Sequence, residues 1–215
     1  MDKIAVLASG GLDSAVLLSD QAKSAQVYPI YVQCGLAWEM AERQALESFL
    51  GALNSANVAP LTVLSVPAGN IYGEHWSLTG KDVPGADEPD SSVFLPGRNI
   101  LLIGIAAVWC STHGVSQLAI GSLEGNPFPD ATPEFFAEFA RVLSMGLGCR
   151  VHLKAPYRNV HKSEIIRRFG QLPFELTLTC MMPRGAKHCG QCNKCRERQR
   201  GFDQAGVADP TAYAG

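Results

Sequence analysis

Residues 4–18 read IAVLASGGLDSAVLL, and this stretch decides the fold. Ile4 to Leu7 has the continuous apolar character of a buried strand; the run stops on Ser9-Gly10-Gly11-Leu12-Asp13-Ser14 before apolar residues return at helical spacing. Two adjacent glycines allow backbone conformations denied to residues with a Cβ and let a ligand approach closely. A strand, a small polar loop and a helix together aim free N–H groups and a helix dipole at one point, which attracts an anion, most often phosphate. Ser9 and Ser14 add hydroxyl donors. Asp13 would repel a bare phosphate, so it is expected to cap the helix or to help hold a phosphate-bound Mg²⁺. The loop fits neither Gly-x-x-x-x-Gly-Lys-Ser/Thr nor Gly-x-Gly-x-x-Gly, and an ordinary glycine-rich turn between strand and helix stays open as an alternative.

Outward from this unit the pattern alternates. QVYPIYVQC (26–34) reads as a second strand, AWEMAERQALESFLGAL (37–53) as a helix with charges between its apolar positions, and LTVLSVP (61–67) as a third strand. Residues 68–92, rich in Gly, Pro and acids, show no sustained period and read as a long surface loop. NILLIGIAAVWCSTHG (99–114) suits a helix covering the sheet, with its apolar run serving as core or interface. Two further strands (VSQLAIGS, VHLKAP) and two further helices (FFAEFARVLSMGLG, HKSEIIRRFG) follow. The expectation is an α/β fold: a parallel, Rossmann-like sheet with helices on both faces over residues 1–175, and a small metal-binding segment over 176–215 packed on it.

The 215 residues carry 18 Lys and Arg against 20 Asp and Glu, a net charge of −2, which gives no overall electrostatic reason to bind nucleic acid or an anionic membrane. No stretch reaches the length of a membrane span, and MDKIAVLASGG has too short an apolar run for a signal peptide, so a cytoplasmic location is expected. In a reducing compartment the seven cysteines are not a disulfide framework. Cys34, Cys110 and Cys149 lie in mostly apolar surroundings and read as buried inert thiols. Cys180, Cys189, Cys192 and Cys195 crowd into sixteen residues, with two Cys-x-x-Cys steps, the local geometry of a tetrahedral zinc site. Four thiolates leave no open position, so such a zinc is structural. Gly190 supplies the turn between ligands, and Lys187, Lys194, Arg196 and Arg198 are expected to offset the thiolate charge. His188 is a spare ligand.

Ser-Gly-Gly-x-Asp-Ser after a first strand resembles the loop of the ATP pyrophosphatases, which cut ATP between its α- and β-phosphates to adenylate a substrate. With both ends considered, the chain resembles the 7-cyano-7-deazaguanine synthase family over nearly its whole length. The residues that carry the likeness are SGGLDS, LPGRN (95–99), PFPDATPEF (127–135), HKSEII (161–166) and TLTC with CGQCNKCRERQRGFDQAG. The resemblance implies a ligase that adenylates the carboxylate of 7-carboxy-7-deazaguanine and uses ammonia to form the amide, then spends a second ATP to form the nitrile. It assigns ATP with Mg²⁺ to Ala8, Ser9, Gly10, Gly11, Leu12, Asp13, Ser14, Ala15, Val16, Leu17 and Leu18, with Asp13 and Ser14 catalytic. Arg98 and Lys162 are the candidate cations facing phosphate or carboxylate. Asp130 and Glu134 are candidates for reading the purine-like edge, with capping of the following helix as the other reading of Asp130. After the second strand this chain has Leu36 where the family usually has glutamine, and it has Ala131 and Thr132 in place of a cysteine and an arginine, which removes a thiol and a cation from the expected substrate pocket. A homodimer is compatible with the apolar helix. The competing readings are another ATP pyrophosphatase acting on a different carboxylate or a modified base, as a tRNA thiolase does, and a non-catalytic zinc-bearing nucleotide-binding module.

Overall fold

The structure is a computed structural model that describes residues 1–214. Five strands, β1 (Asp2–Leu7), β2 (Ala25–Gln33), β3 (Thr62–Ser65), β4 (Gln117–Ala119) and β5 (His152–Lys154), form one sheet in the order β3-β2-β1-β4-β5. Every pairing is parallel. Helices α1 (Leu12–Gln21) and α2 (Glu39–Leu53) make the first two crossovers; α5 (Arg98–Thr112) carries the chain back to β4 on the other side of β1. The order therefore reverses between β1 and β4, and the crevice beyond their carboxyl ends is where such sheets bind ligands.

Side-chain alternation along the strands sorts the core into two layers. Ala5 and Leu7 of β1 with Ile30 and Val32 of β2 pack beneath α5 and α6 (Pro133–Leu147), through Ile103, Ala106, Ala107 and Phe136. Ile4, Val6, Val27 and Tyr31 face the opposite way, onto α1, α2, α7 (Lys162–Arg168) and α8 (Asn193–Ala205), through Val16, Leu17, Leu46, Ile165, Ile166 and Phe202. The four clustered cysteines belong to the first of these layers, so the C-terminal segment is packed into the body of the molecule.

Two elements depart from the sequence reading. The 68–92 stretch folds into the short helices α3 (Gly69–Tyr72) and α4 (Trp76–Thr79) and a 3₁₀ turn at Asp90–Val93, each too brief for a period to register in sequence. Helix α8 was not expected either. Its buried positions Cys195, Arg198, Phe202 and Ala205 do recur at helical spacing, but an arginine and a cysteine fill two of them and disguise the apolar stripe. Among the described residues no helix is long and apolar enough to cross a membrane.

Gly10 shows why the opening loop needs a glycine. Its φ is +74°, and a Cβ there would fall 2.5 Å from the Glu42 carbonyl oxygen of α2. Gly10→Ala combines left-handed strain of about 1–2 kcal/mol with a backbone clash that α2 must move to relieve. The urea midpoint of this variant should drop clearly below wild type; an unchanged midpoint would mean that the loop is not pressed onto α2.

Candidate active site

The crevice between β1 and β4 opens into a cavity of about 260 Å³. Ser9, Gly11, Leu12, Asp13 and Ser14 line one end, together with Gly121 and Ser122 from the end of β4. The loop is closed on itself: the Ser9 N–H donates to Ser14 Oγ at 3.2 Å and the Ser14 hydroxyl donates to the Gly11 carbonyl at 3.0 Å. Gly121 permits the close approach of β4, since a Cβ there would lie 3.2 Å from the Asp13 backbone.

Asp13 does not cap α1; the N-cap is Gly11. Its Oδ2 lies 3.3 Å from Lys162 Nζ, while Oδ1 is buried without a partner. Lys162, at the start of α7, also pairs with Glu197 of α8, whose other oxygen takes Lys194 at 2.7 Å. Burial pushes the Asp13 carboxyl up despite the neighbouring Lys162. Burial acts on Glu197 in the same sense, but Lys162 and Lys194 overcome it and hold its carboxyl well below the usual range. Lys162 in turn is raised, the two carboxylates outweighing its burial. The result is a charge cluster of two cations and two anions beside the glycine loop.

The other end of the cavity has different chemistry. Trp38 stacks on Trp76 with ring centroids 5.9 Å apart, and Phe94 on Phe128 at 5.3 Å; all four rings line the wall. Arg98 lies at this end, its Nε buried without a partner, with Glu42 and Tyr31 also in the lining. Sequence reading placed Arg98 and Lys162 in one role. The structure puts them among different partners: Asp13 and Glu197 act on Lys162, whereas Arg98 acts on Glu42, Cys34 and Tyr72.

Three buried acids near this end are disposed differently. Glu39 is consumed by backbone, taking the Cys34 N–H at 2.5 Å and the Gly35 N–H at 3.0 Å. Asp130 lines the cavity, but both its oxygens are held by Asn99, through the backbone N–H at 2.9 Å and the side-chain amide at 3.2 Å. It thus caps α5, not the helix that follows, which Thr132 caps by accepting from Phe135 N–H. Glu42 takes the Tyr31 hydroxyl at 2.9 Å, with the Trp38 side chain also bearing on it, and forms no ion pair among the described residues. In sequence it passed for one of the solvent-facing charges of α2; the signal missed was the tyrosine on β2 that meets it.

Several expected site residues lie elsewhere. Ala15, Val16, Leu17 and Leu18 run into the core, and Gly10 faces α2, so of the expected ATP stretch only Ala8, Ser9 and Gly11 to Ser14 reach the cavity. Glu134 is exposed on the first turn of α6 and outside the lining. Ala131 and Thr132, expected in the pocket, are outside its lining, as is Leu36. Ala131 is fully buried, its carbonyl taking Arg158 Nε at 2.9 Å. Ser14, read as a loop residue, is buried in the first turn of α1.

Cys180, Cys189, Cys192 and Cys195 are all buried, with their sulfurs within 4.8 Å of one another, and could hold a metal ion. The Cys189 and Cys195 sulfurs are 3.8 Å apart, which is about the edge of a tetrahedron with 2.3 Å metal–sulfur bonds. Backbone N–H groups of Met182, Cys189 and Gln191 point at the sulfurs of Cys180 and Cys189. These, rather than the basic side chains, meet the thiolate charge. Lys187 and Arg196 are exposed, Lys194 is paired to Glu197, and Arg198 is buried on Phe174 O and the hydroxyls of Thr177, Thr179 and Thr211. His188 is no ligand: its Nε2 accepts from Thr179 N–H, and burial, with Arg198 nearby, holds its pKa down to about 4. Gly190 takes the expected turn at φ +77°. Of the three cysteines read as buried, Cys34 and Cys110 are, but Cys149 is exposed, at the end of α6 where no element covers it.

Comparison with known proteins gives a consistent result. The family described as "Queuosine biosynthesis protein QueC" matches residues 3–206. A 7-cyano-7-deazaguanine synthase of Cellvibrio japonicus is 30% identical over 99% of this chain and 98% of its own. One from Xanthomonas euvesicatoria is 32% identical over 100% and 99%. Among solved structures, one described as a predicted subunit of tRNA methyltransferase from Methanocaldococcus jannaschii aligns with a TM-score of 0.51 at 14% identity, over 80% of this chain and 75% of that one, a likeness of fold.

A soft tetrathiolate of this span suits zinc above other common ions. Protein purified without chelator should carry one zinc per chain, and Cys192→Ser should lose it and unfold at lower denaturant. Elemental analysis finding no metal in the wild type would contradict this reading.

Proposed function

The chain belongs to the QueC family of queuosine biosynthesis proteins, and from that membership we propose that it is an ATP-dependent ligase converting 7-carboxy-7-deazaguanine and ammonia to the 7-cyano product. The observation that carries the reading is that one cavity has two chemically distinct ends, a glycine loop beside paired lysines and an aromatic box beside Arg98. The 1–175 body would supply the glycine loop, Lys162 and the aromatic end, and the 176–215 segment the metal tetrad and, through α8, Lys194 and Glu197 at the loop end.

The first step adenylates the acid. A carboxylate oxygen attacks the α-phosphorus of ATP and pyrophosphate leaves; the N–H groups of the loop and the start of α1 receive phosphate oxygens. Lys162 and Lys194 are already aimed at this end, and they can exchange a protein carboxylate for phosphate without leaving the cluster. Asp13, whose buried Oδ1 lacks a partner, would hold the Mg²⁺ that accompanies ATP, and the ion would supply neutralisation of phosphate charge. The planar acceptor fits between the aromatic walls. Ammonia then displaces AMP to give the amide. In a second round the amide oxygen is activated by ATP and leaves as AMP, with the nitrile formed. AMP is a far better leaving group than oxide, so positioning and charge do the work and no protein nucleophile is needed.

Asp13→Asn should reduce acid-dependent pyrophosphate release by about 10²-fold or more in a protein that still folds, whereas Asp13→Ala, which strips the buried Lys162 of one partner, should also lower the urea midpoint. Product analysis of the wild type should show two AMP per nitrile, with free amide accumulating when ATP runs short. AMP release with neither amide nor nitrile would point instead to another acceptor.

A further inference from the structure

The geometry points to Glu42 as the proton acceptor for the nitrogen nucleophile, working opposite Arg98, which holds the carbonyl oxygen of the adenylated acid. This rests on the proposed reaction. Of the other acids lining the cavity, Asp130 is held by Asn99, Asp13 is paired with Lys162, and Glu197 with Lys162 and Lys194; Glu39, outside the lining, is saturated by backbone N–H groups. Glu42 is 8% exposed, lines the cavity, and has no cation within ion-pair distance. Arg98 faces the same cavity with a buried Nε lacking any acceptor. An unpaired carboxylate and an unsatisfied guanidinium N–H that do not bind each other describe a site for a group with an acceptor atom on one side and an N–H on the other. The tetrahedral adduct of an acyl adenylate and ammonia is such a group.

Placement supports the assignment. The Glu42 backbone is pressed against Gly10 while its carboxyl faces Arg98, Tyr31 and Trp38, so the residue stands between the glycine loop and the Arg98 end of the cavity. The Tyr31 hydroxyl on Oε2 and the nearby Trp38 side chain fix the carboxylate from β2 and from the start of α2.

The step balances. Ammonia nitrogen attacks the acyl carbon, the C–N bond forms, and the carbonyl oxygen takes negative charge beside Arg98. Collapse breaks the C–O bond to AMP, with the electron pair leaving on the phosphate oxygen. One N–H proton passes to Glu42 and then to solvent. Amide, AMP and a proton are the products. Dehydration of the amide again removes protons from nitrogen at the same place.

Burial raises the Glu42 carboxyl to about 7, against the lowering influence of Arg98 and the Tyr31 hydrogen bond and with Glu39 adding to the rise. The charged and titratable groups facing it are Tyr31 on β2, Glu39 on its own helix and Arg98 at the start of α5, with Cys34 close by. Below that pH Glu42 is protonated and cannot accept; above it the base is available. Amidation at constant free ammonia should therefore rise with pH through about 7 and level off.

The test separates the two half-reactions in the Glu42→Gln variant, whose side-chain carbonyl can still take the Tyr31 hydroxyl. Acid-dependent exchange of pyrophosphate into ATP reports adenylation; amide formation from ammonium reports the amine step; a urea midpoint reports folding. The expected result is a wild-type midpoint, adenylation retained, amidation down by about 10²-fold or more, and loss of the rise with pH. Amidation at the wild-type rate would overturn the inference, as would loss of adenylation and amidation together in a folded variant, because Glu42 would then act in binding. Absence of exchange in the wild type would sink the proposed function instead, and so the two failures are distinguishable.

Discussion

Lys162 is held between two carboxylates from different helices, Asp13 at the start of α1 and Glu197 in α8, and its stem lies against Gly201 of α8. A Cβ at Gly201 would come within 3.0 Å of Lys162 Cγ, so the two helices meet here as closely as a glycine allows. A buried ammonium is tolerable only when its partners stay in place. Three elements are therefore committed to one arrangement: the loop that opens the fold, the helix after β5, and the helix that follows the cysteine tetrad. Leu178 adds a backbone bond to the Gly10 carbonyl at 2.8 Å, fastening the chain just ahead of Cys180 to the same loop.

That commitment gives the metal tetrad a consequence for the cavity. Cys192 is the N-cap of α8 and pairs with Gly85, while Asn193 donates its N–H to the Pro84 carbonyl and its side-chain amide to the Glu88 carbonyl. The 84–95 stretch, which brings Val93, Phe94 and Leu95 to the cavity, hangs on the first residues of α8. A closed tetrathiolate would fix the register of α8, and α8 in turn fixes Glu197 at one end of the cavity and the Phe94 wall at the other. A metal held there would thus organise the site from a position with no open place for chemistry.

The alternating pattern of the first 67 residues and the cysteine spacing were legible because each is a local signal: period-2 and period-3.6 apolarity, a glycine pair, and ligands a few residues apart. What was not legible depends on tertiary partners. Glu42 reads as a solvated helix charge until Tyr31, eleven residues away on β2, is seen to meet it. Arg98 and Lys162 look equivalent in sequence, and only the packing shows that one sits with Asp13 and the other with Glu42. Arg198 occupies a core position of α8 because three threonine hydroxyls and the Phe174 carbonyl accept from it, a set no spacing announces.

Leu36, Ala131 and Thr132 lie outside the cavity lining, and Arg158 holds the stretch around Ala131 through the carbonyls of Ala131 and Leu123. The surface offered at that end is the aromatic pairs, Arg98 and Glu42. In the proposed reaction the incoming acid brings a further carboxylate to the part of the cavity where Glu42 and Arg98 stand near each other, and the two carboxyl groups compete for the charge of Arg98. Burial lifts the Glu42 carboxyl to about 7, so near neutrality it is partly protonated and the repulsion is relieved as the acid enters. Once adenylated, the acceptor no longer carries that charge, Arg98 is left to the carbonyl oxygen, and the ionised form of Glu42 becomes affordable when the amine needs a base. One carboxyl with a raised pKa thus serves both stages, neutral while an anion binds and anionic once the anion has been masked.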